Sequence, residues 1–497
     1  MPIVHESNYF DSVKDTFTED YFKGNQFSSD VIKVKYALNE QEKNRIAYMF
    51  KRVTDSVASM EPTKELQEYW SNRWFYEIWN DWWKPAGSIM QGAGNKRKIS
   101  LSNCTTVAID DDSLEAISKT GYKMKKAAAY RQGLGVDISP LRPRNSKVNN
   151  SAEVSSGAVD WMIWLNNIGP HIGQKGRIPA FLFSIGIQHP DVLDFIYVKS
   201  NLHAVQNANI SIQITDDFMA AYEKDGDWKL FFDVKDTGER IERTVKAREL
   251  MHKIAEEACR YGEPGVQFMD TCRRESVTDV LGFAIKSSNA CSEKIMYPDS
   301  TCVLSSINVG KFSSDSKRYK VQLDTIGESI TRFLDDVVEC EIRMEKSPFP
   351  EQRYVMQQLR EIGCGITNLH GWLFDQELAY DSDKGIKKAE EFIKYYSYVC
   401  WKTSIALGKE KSDCQAFKSD KVKKAEFVKR MMGEFPDLEF KTLRNSQVMS
   451  FAPAGTLSLS FSSPTISTGI EPCPGFYYWK RSRVSGNWKW YFVVPNF

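Results

Sequence analysis

Three of the ten cysteines sit among residues that could support chemistry. Cys104 lies in "LSNCTTV", Cys291 in "SSNACSEKIM", and Cys302 heads "CVLSSINVG", eleven positions after Cys291. Glu293 and Asn289 each stand two residues from Cys291, so in an extended segment all three share one face. A carboxylate beside a thiol raises its pKa, the reverse of what a nucleophilic thiolate needs. The arrangement suits a neutral S–H that loses a hydrogen atom, with Glu293 handling protons and Asn289 hydrogen bonding. Taken singly, each cysteine reads more simply as a buried structural thiol; the neighbours of Cys291 are what argue for chemistry.

Other reaction types find less support. The six histidines are scattered at 5, 171, 189, 203, 252 and 370, and no CxxC occurs, so no sequence-local zinc site is expected. A Walker loop and GxSxG are both absent. "RQGLGVDI" has two glycines without the dinucleotide fingerprint and reads as a turn. Near the C-terminus, "SFAPAGTLSLSFSSPTISTGIEP" offers a Gly-Thr-x-Ser turn whose N–H groups and hydroxyls could cradle phosphate; a plain polar turn is the simpler reading.

The elements that must position these residues follow from hydrophobic periodicity. Residues 1 to about 85 read as helical, with an aromatic stripe in "YWSNRWFYEIWNDWW" that suits a helix packed on a core better than a ligand platform; Pro85 and Gly87 then break the helix. From about residue 100, "TTVAI", "RIPAFLFSIGI", "ANISIQI", "KLFF", "VQFMD", "TCVLSSINV" and "KWYFVV" read as strands. Helical stretches at 113–131, 157–172, 190–199, 242–261 and 321–344 lie between them. This alternation predicts an α/β fold with many parallel strands, in a barrel. The charged stretch "KSDCQAFKSDKVKKAEFVKR" is expected to be a solvated helix face.

Bulk properties narrow the class. The 497 residues, 42% hydrophobic with 12% aromatics, support a sizeable core. Net charge of +1 gives no footprint for nucleic acid or an anionic membrane, and no apolar run nears the roughly 18 residues a membrane span needs. The start of the chain lacks a secretory signal, and the cysteines are too sparse for a disulfide framework. Together these predict a reducing, cytoplasmic location, or the host cytoplasm if the source is a virus.

The short stretches, taken in order, resemble the catalytic α subunit of ribonucleotide reductases, the radical enzymes that make deoxyribonucleotides. The resemblance runs over about residues 85 to 497 and is carried by "PAGSIM", "SNC", "DDDSLEAI", "RQGLGVDISPLRP", "VSSGAVDWM", "KGRIPAFL", "HPDVLDFI", "ANISIQI", "SNACSE", "CVLSSINVG", "PAGTLS" and "STGIEP". It implies a ten-stranded α/β barrel of two antiparallel halves, with a finger loop carrying the radical cysteine. On this reading 1–85 is a helical N-terminal region and 86–497 the catalytic barrel.

The resemblance also implies roles. Cys291 aligns with the thiyl-radical cysteine that takes the 3′ hydrogen of the ribose, Glu293 with the group that takes the 3′-OH proton, and Asn289 with a hydrogen-bonding partner of the 2′-OH region. Cys104 and Cys302 align with the reducing pair that ends as a disulfide, which requires Cα atoms about 4.4–6.8 Å apart. Substrate contacts fall on Ser88, Asn103, Gly133, Asn289, Ala290 and Ser292, and the phosphate-binding turn on Ala454, Gly455, Thr456, Leu457 and Ser458. Asp112, Arg142 and Arg177 align with a site for deoxynucleoside triphosphate or ATP effectors at a homodimer interface. Residues 144–155 resemble its first specificity loop and "GQKGRIPAFL" the second.

Three departures qualify the match. No ATP-cone is evident, so no overall activity switch is expected, and "KGRIPA" replaces the usual Arg-Gly-Ala of the second loop. Family members also continue past "WYFVVPNF", with Tyr477 and Tyr478 too early for the class I radical-transfer pair. A split gene, a truncated chain or a complementary C-terminal chain is therefore expected, and a catalytically incomplete nucleotide-binding chain is the rival reading. The radical source is adenosylcobalamin, as in class II, or a small subunit with a metallo-cofactor, as in class I. The spacing from Cys291 to Cys302, with "LRP" and "NACSE", leans toward adenosylcobalamin. An external dithiol, thioredoxin or glutaredoxin, would restore the cysteine pair, and the substrate is a ribonucleoside di- or triphosphate.

Overall fold

The computed structural model describes residues 9–172, 178–484 and 487–495. The chain divides into two compact units. Met1–Asn103, Thr301–Lys423 and Lys429–Phe497 form the first, and Cys104–Ser300 with Lys424–Val428 form the second.

The first unit begins with helices. Ile46–Ala58 and Lys64–Trp79 bury Met49, Phe50, Val53 and Val57, and Trp70, Trp74, Phe75 and Ile78, at the spacing of one helix face. Thr63 caps the second helix by accepting from the Leu66 N–H. The aromatic stripe therefore builds a core, with Trp74 edge-on to Phe333 at 5.1 Å between ring centres. The helix ends at Trp79, earlier than Pro85, and Trp83–Pro85 already forms strand β1. Asp81, at φ +64°, makes the turn between them.

In the second unit, strands β2 (Cys104–Ala108), β3 (Gly133–Asp137), β4 (Phe181–Gly186) and β5 (Ala208–Ile214) lie side by side and parallel. An antiparallel hairpin follows, β6 (Asp227–Asp233) and β7 (Arg240–Lys246), before β8 (Gly265–Phe268) joins the parallel sheet beside β5. Helices Leu114–Ala129, Ala158–Asn166, Val192–Tyr197 and Ala247–Tyr261 supply the crossovers that parallel strands require. Every residue of β4 is buried, as expected of a strand covered on both faces. The helix expected from 242 begins only at Ala247, because Arg240–Lys246 pairs with β6 along its whole length.

Across this sheet lies a short hairpin, β9 (Ser287–Ser288) and β10 (Ile295–Met296). Its backbone rests directly on Gly135 of β3, where a Cβ would stand 1.6 Å from the Ser288 carbonyl oxygen and 2.8 Å from its carbon. Polar side chains on the sheet hold it from below. Gln213 donates to the Lys286 carbonyl at 2.8 Å and to Ser184 Oγ at 2.9 Å, and Ser184 Oγ lies 3.1 Å from Ser287 Oγ. Thr105 and Thr106 donate to the carbonyls of Ser300 and Tyr297 on the returning segment.

The chain then re-enters the first unit. Strand β11 (Thr301–Asn308) pairs antiparallel with β1 and parallel with β12 (Ile362–Thr367). Helices Ser316–Arg343 and Asp383–Lys411 pack with these strands and carry a buried ionic cluster. Asp335, fully buried, accepts from Arg360 at 2.9 Å, Arg444 at 3.1 Å and Asn445 at 3.0 Å. Burial opposes its charge, yet Arg360, Arg444 and Lys411 hold its carboxyl well below the usual carboxylate range. Beside it, Arg332 pairs with Glu61 at 2.6 Å and Lys411 bridges Glu61 and Asp336. The charged stretch from Lys411 is not one helix: Asp383–Lys411 ends there, and short helices Ser419–Val422 and Glu426–Glu434 follow. A last antiparallel pair, β13 (Tyr478–Val484) and β14 (Asn487–Val493), packs Tyr491 on Phe27 and Val31.

Two outcomes follow from this packing. Asp335→Ala leaves two buried guanidinium groups with Glu339 as their remaining shared carboxylate, and chemical denaturation should show a loss of about 3–5 kcal/mol. Gly135→Ala forces a methyl into the hairpin backbone, which cannot rotate away as a side chain can. Stability should fall by about 1–3 kcal/mol, with faster amide exchange in 287–296 than in wild type.

Candidate active site

The hairpin's tip is built by its own sequence. Asn289 N–H donates to the Lys294 carbonyl at 3.1 Å, Ser292 N–H to the Asn289 carbonyl at 3.1 Å, and Lys294 N–H to Asn289 Oδ1 at 3.3 Å. Ser292 takes a left-handed φ of +65° to close the turn. This leaves Cys291 exposed at the apex, with Asn289 and Ala290 buried beneath it and Glu293 half-buried behind.

Two strand side chains fix that tip. Asn209 Nδ2 donates to the Ala290 carbonyl at 2.9 Å, and Gln267 Nε2 donates to Ser288 Oγ at 2.6 Å and Ser292 Oγ at 3.0 Å. In the sequence β5 and β8 read simply as strands, and neither Asn209 nor Gln267 stands out. The alternation Asn209, Ser211, Gln213 along β5 marks a polar face on an otherwise apolar strand but does not say what that face meets, and Gln267 on β8 has no such local signal.

The polar atoms at the tip are under-used. Asn289 Nδ2, Glu293 Oε2 and Gln267 Oε1 are buried with no hydrogen-bond partner among the described residues. Burial pushes the Glu293 carboxyl above its ordinary value, against the pull of a backbone N–H, the Asn289 amide and Lys294. Orphaned buried donors and acceptors of this kind call for a ligand, an ion or water. A buried carboxyl and an amide near enough to act on it thus stand two residues either side of an exposed thiol, each with hydrogen-bonding capacity to spare among the described residues.

Cys104 and Gly133 belong to the same place. They are register partners at the head of β2 and β3, and a Cβ on Gly133 would lie 3.2 Å from Ala290 Cβ and 3.6 Å from Cys104 Sγ. The absence of a side chain at Gly133 keeps open the space between the buried thiol of Cys104 and the tip. The second unit therefore brings together Cys104, Gly133, Asn289, Ala290, Cys291, Ser292 and Glu293.

The remaining expected substrate and redox residues lie in the first unit. Cys302 is fully buried on β11, with its Sγ 3.2 Å from where a Gly363 Cβ would stand, and its carbonyl accepts from Asn103 N–H at 2.9 Å. Asn103 Oδ1 has no hydrogen-bond partner among the described residues. Ser88 is buried in the helix Gly87–Gly92. Ala454, Gly455, Thr456, Leu457 and Ser458 form a tight turn in which Ser458 N–H donates to the Ala454 carbonyl at 2.7 Å, with Gly455 open on its outer side. Just beyond, Ser462 N–H donates to Asp81, which pairs with the buried Lys84 at 2.9 Å.

Of the expected effector residues, Asp112 and Arg142 meet in the second unit at 2.7 Å, while Arg177 lies outside the described residues. Residues 144–155 form a small ordered ladder, with Lys147 bridged to Val154 and Asn145 N–H donating to the Ser155 carbonyl at 2.9 Å. The Asp191 carboxylate accepts from Arg144 and Ala158 N–H and so ties the two ends of this segment. Of "GQKGRIPAFL", residues 173–177 lie outside the described residues. Among the described residues no cluster of His, Cys, Asp and Glu could hold a metal ion, and no helix is long and apolar enough to cross a membrane.

The family described as ribonucleotide reductase, barrel domain, matches residues 102–496. A vitamin B12-dependent ribonucleoside-diphosphate reductase of Thermoplasma acidophilum is 30% identical over 396 residues, covering 78% of this chain and 47% of the relative. A protein of the same name from Mycobacterium tuberculosis is 26% identical over 449 residues, 89% of this chain and 61% of its own. The ribonucleoside-diphosphate reductase large subunit of Vaccinia virus is 25% identical over 404 residues, 73% of this chain and 51% of its own. The chain spans about half the length of such relatives. With a barrel-domain match over most of its length and a hairpin that lifts Cys291 above a parallel sheet, the chain belongs to the ribonucleotide reductase family.

Proposed function

We propose that the chain carries the catalytic core of a ribonucleotide reductase, reducing ribonucleoside di- or triphosphates to 2′-deoxyribonucleotides. In this reading 1–85 is a helical lead-in, 86–497 contributes to a ten-stranded barrel, and the β9–β10 hairpin is its finger loop. One observation carries the proposal: Cys291 stands exposed at a hairpin apex, between an open amide and an open carboxyl, above the buried Cys104.

The chemistry runs on this chain's own residues. Cys291, as a thiyl radical, takes the 3′ hydrogen atom and becomes a thiol, leaving the unpaired electron on the ribose. Glu293 takes the 3′-OH proton while Asn289 hydrogen-bonds the 2′-OH region. The 2′-hydroxyl leaves as water, protonated by one thiol of the Cys104–Cys302 pair. That pair supplies two electrons and ends as a disulfide, and Cys291 returns its hydrogen atom to the 3′ carbon. An external dithiol such as thioredoxin or glutaredoxin then reduces the disulfide. Ser88, Asn103, Gly133, Ala290, Ser292 and the turn from Ala454 to Ser458 are the proposed substrate contacts.

The radical itself comes from outside these residues, and the exposed apex of Cys291 fits such delivery. Adenosylcobalamin supplies an oxidising radical when bound, and relatives named as B12-dependent support it as the source. A small subunit with a metallo-cofactor is the second choice, supported by the large-subunit relative of Vaccinia virus. Deoxynucleoside triphosphates or ATP at Asp112, Arg142 and Arg177 and a homodimer complete the proposed partners.

Two measurements test this reading. Given a cytidine nucleotide, dithiothreitol and adenosylcobalamin or a small subunit, the protein, with any complementary chain, should form deoxycytidine nucleotide; Cys291→Ser should abolish product while still binding substrate. Product from the Cys291→Ser protein would refute the assignment. Glu293 must be ionised to accept a proton, and burial raises its pKa, so activity should fall as pH drops through a value higher than the carboxyl's ordinary one. Glu293→Gln should remove that acid limb from the pH–rate profile and slow turnover by roughly 10²–10⁴-fold.

A further inference from the structure

Arg142 is already fully engaged in this structure. It is buried, and its Nε donates to Asp112 at 2.7 Å while its own backbone N–H donates to the same carboxylate at 3.1 Å. One terminal nitrogen donates to the Lys147 carbonyl at 2.7 Å. The other pairs with Asp236, at 3.0 Å, on the tip of the β6–β7 hairpin. From the same tip Glu239 accepts the Lys147 N–H at 2.8 Å. The tip is a tight turn, with Val234 N–H donating to the Glu239 carbonyl at 2.8 Å and Gly238 at φ +69°.

The two carboxylates on Arg142 are not equivalent. Asp112 keeps 18% of its side-chain surface and receives two donors from Arg142, whereas Asp236 keeps 48% and receives one. An anion arriving at Arg142 can therefore displace Asp236 at little cost, since that carboxylate swings back into water. It cannot displace Asp112 without stranding the Arg142 backbone N–H as well. A phosphate oxygen can accept from the released terminal N–H of Arg142 as the Asp236 carboxylate oxygen did, with a charge-assisted hydrogen bond.

We propose that Asp236 is a built-in competitor for Arg142, setting how tightly a polyphosphate-bearing nucleotide binds there by occupying the guanidinium edge that the phosphate needs. The proposal rests on the reading of Asp112 and Arg142 as an effector site and adds the β6–β7 hairpin to it. A ligand that binds only when a competing contact is open pays for the closed fraction in apparent affinity. Removing the competitor should therefore tighten binding without any new contact.

Equilibrium binding of dATP, dTTP and inorganic tripolyphosphate to the full chain tests this, comparing wild type, Asp236→Asn, Asp233→Asn and Arg142→Ala. Asp233 lies on the same hairpin but pairs with Arg240, so its variant removes an equal charge without touching Arg142. Asp236→Asn should bind about two- to fivefold tighter, the worth of an exposed ion pair, with Asp233→Asn unchanged. Nucleotide binding that depends on Arg142 but is no tighter in Asp236→Asn, or equally tighter in Asp233→Asn, overturns the competitor and leaves the effector site standing. Tripolyphosphate that binds tighter to Asp236→Asn, with no nucleotide binding, upholds the competitor and removes the effector reading. No binding of any of the three ligands to any variant removes both.

Discussion

The contact between the hairpin backbone and Gly135 governs the site. A hairpin with two residues on each strand has too few ladder bonds to be ordered alone. It is ordered by what it lies on, and only a glycine lets β3 come within reach of the Ser288 carbonyl. From that anchor the polar face of the neighbouring strands takes over, with Ser184, Gln213, Asn209 and Gln267 each binding a different part of the hairpin. The tip's position is thus over-determined by long-range contacts, and Ser292 is held in a backbone region that serine rarely enters.

Buried polarity is handled differently around Asp335 and at the hairpin tip. Asp335 and Glu61 stand in hydrogen-bonded contact with cations, so both carboxyls are held below their ordinary values despite burial, while burial pushes the neighbouring Asp336 up. At the hairpin tip an amide nitrogen and a carboxylate oxygen are buried with no hydrogen-bond partner among the described residues. The first pattern belongs to a structure complete in itself. The second belongs to a place where a further molecule supplies the missing half of the hydrogen bonding. The same contrast explains the direction of the two carboxyl pKa values, down at Asp335 where cations surround it and up at Glu293 where burial dominates.

Much of this was legible in the sequence, for identifiable reasons. The runs around Phe181–Gly186 and Thr301–Asn308 carry Phe, Leu, Val and Ile between turn residues, and they form strands as read. Cys291 with Asn289 and Glu293 was visible because alternation in an extended chain is a local property. The start of the helix at Ala247 was not, because Arg240–Lys246 becomes a strand only through its partner Asp227–Asp233. Likewise the charged stretch after Lys411 has helical periodicity, yet it folds as short pieces once Arg444 draws on the carbonyls of Lys411 and Ser412. Asn209 and Gln267 stayed hidden because their meaning depends on what crosses the sheet, which no neighbouring residue encodes.

The shortness of the β9–β10 ladder has a protective side. On the proposed role of Cys291, the radical thiol is borne by a segment with almost no structure of its own. Loosening of the parallel sheet would take the tip's shape with it, so the proposed reactive group would be in place only while the sheet beneath it is intact.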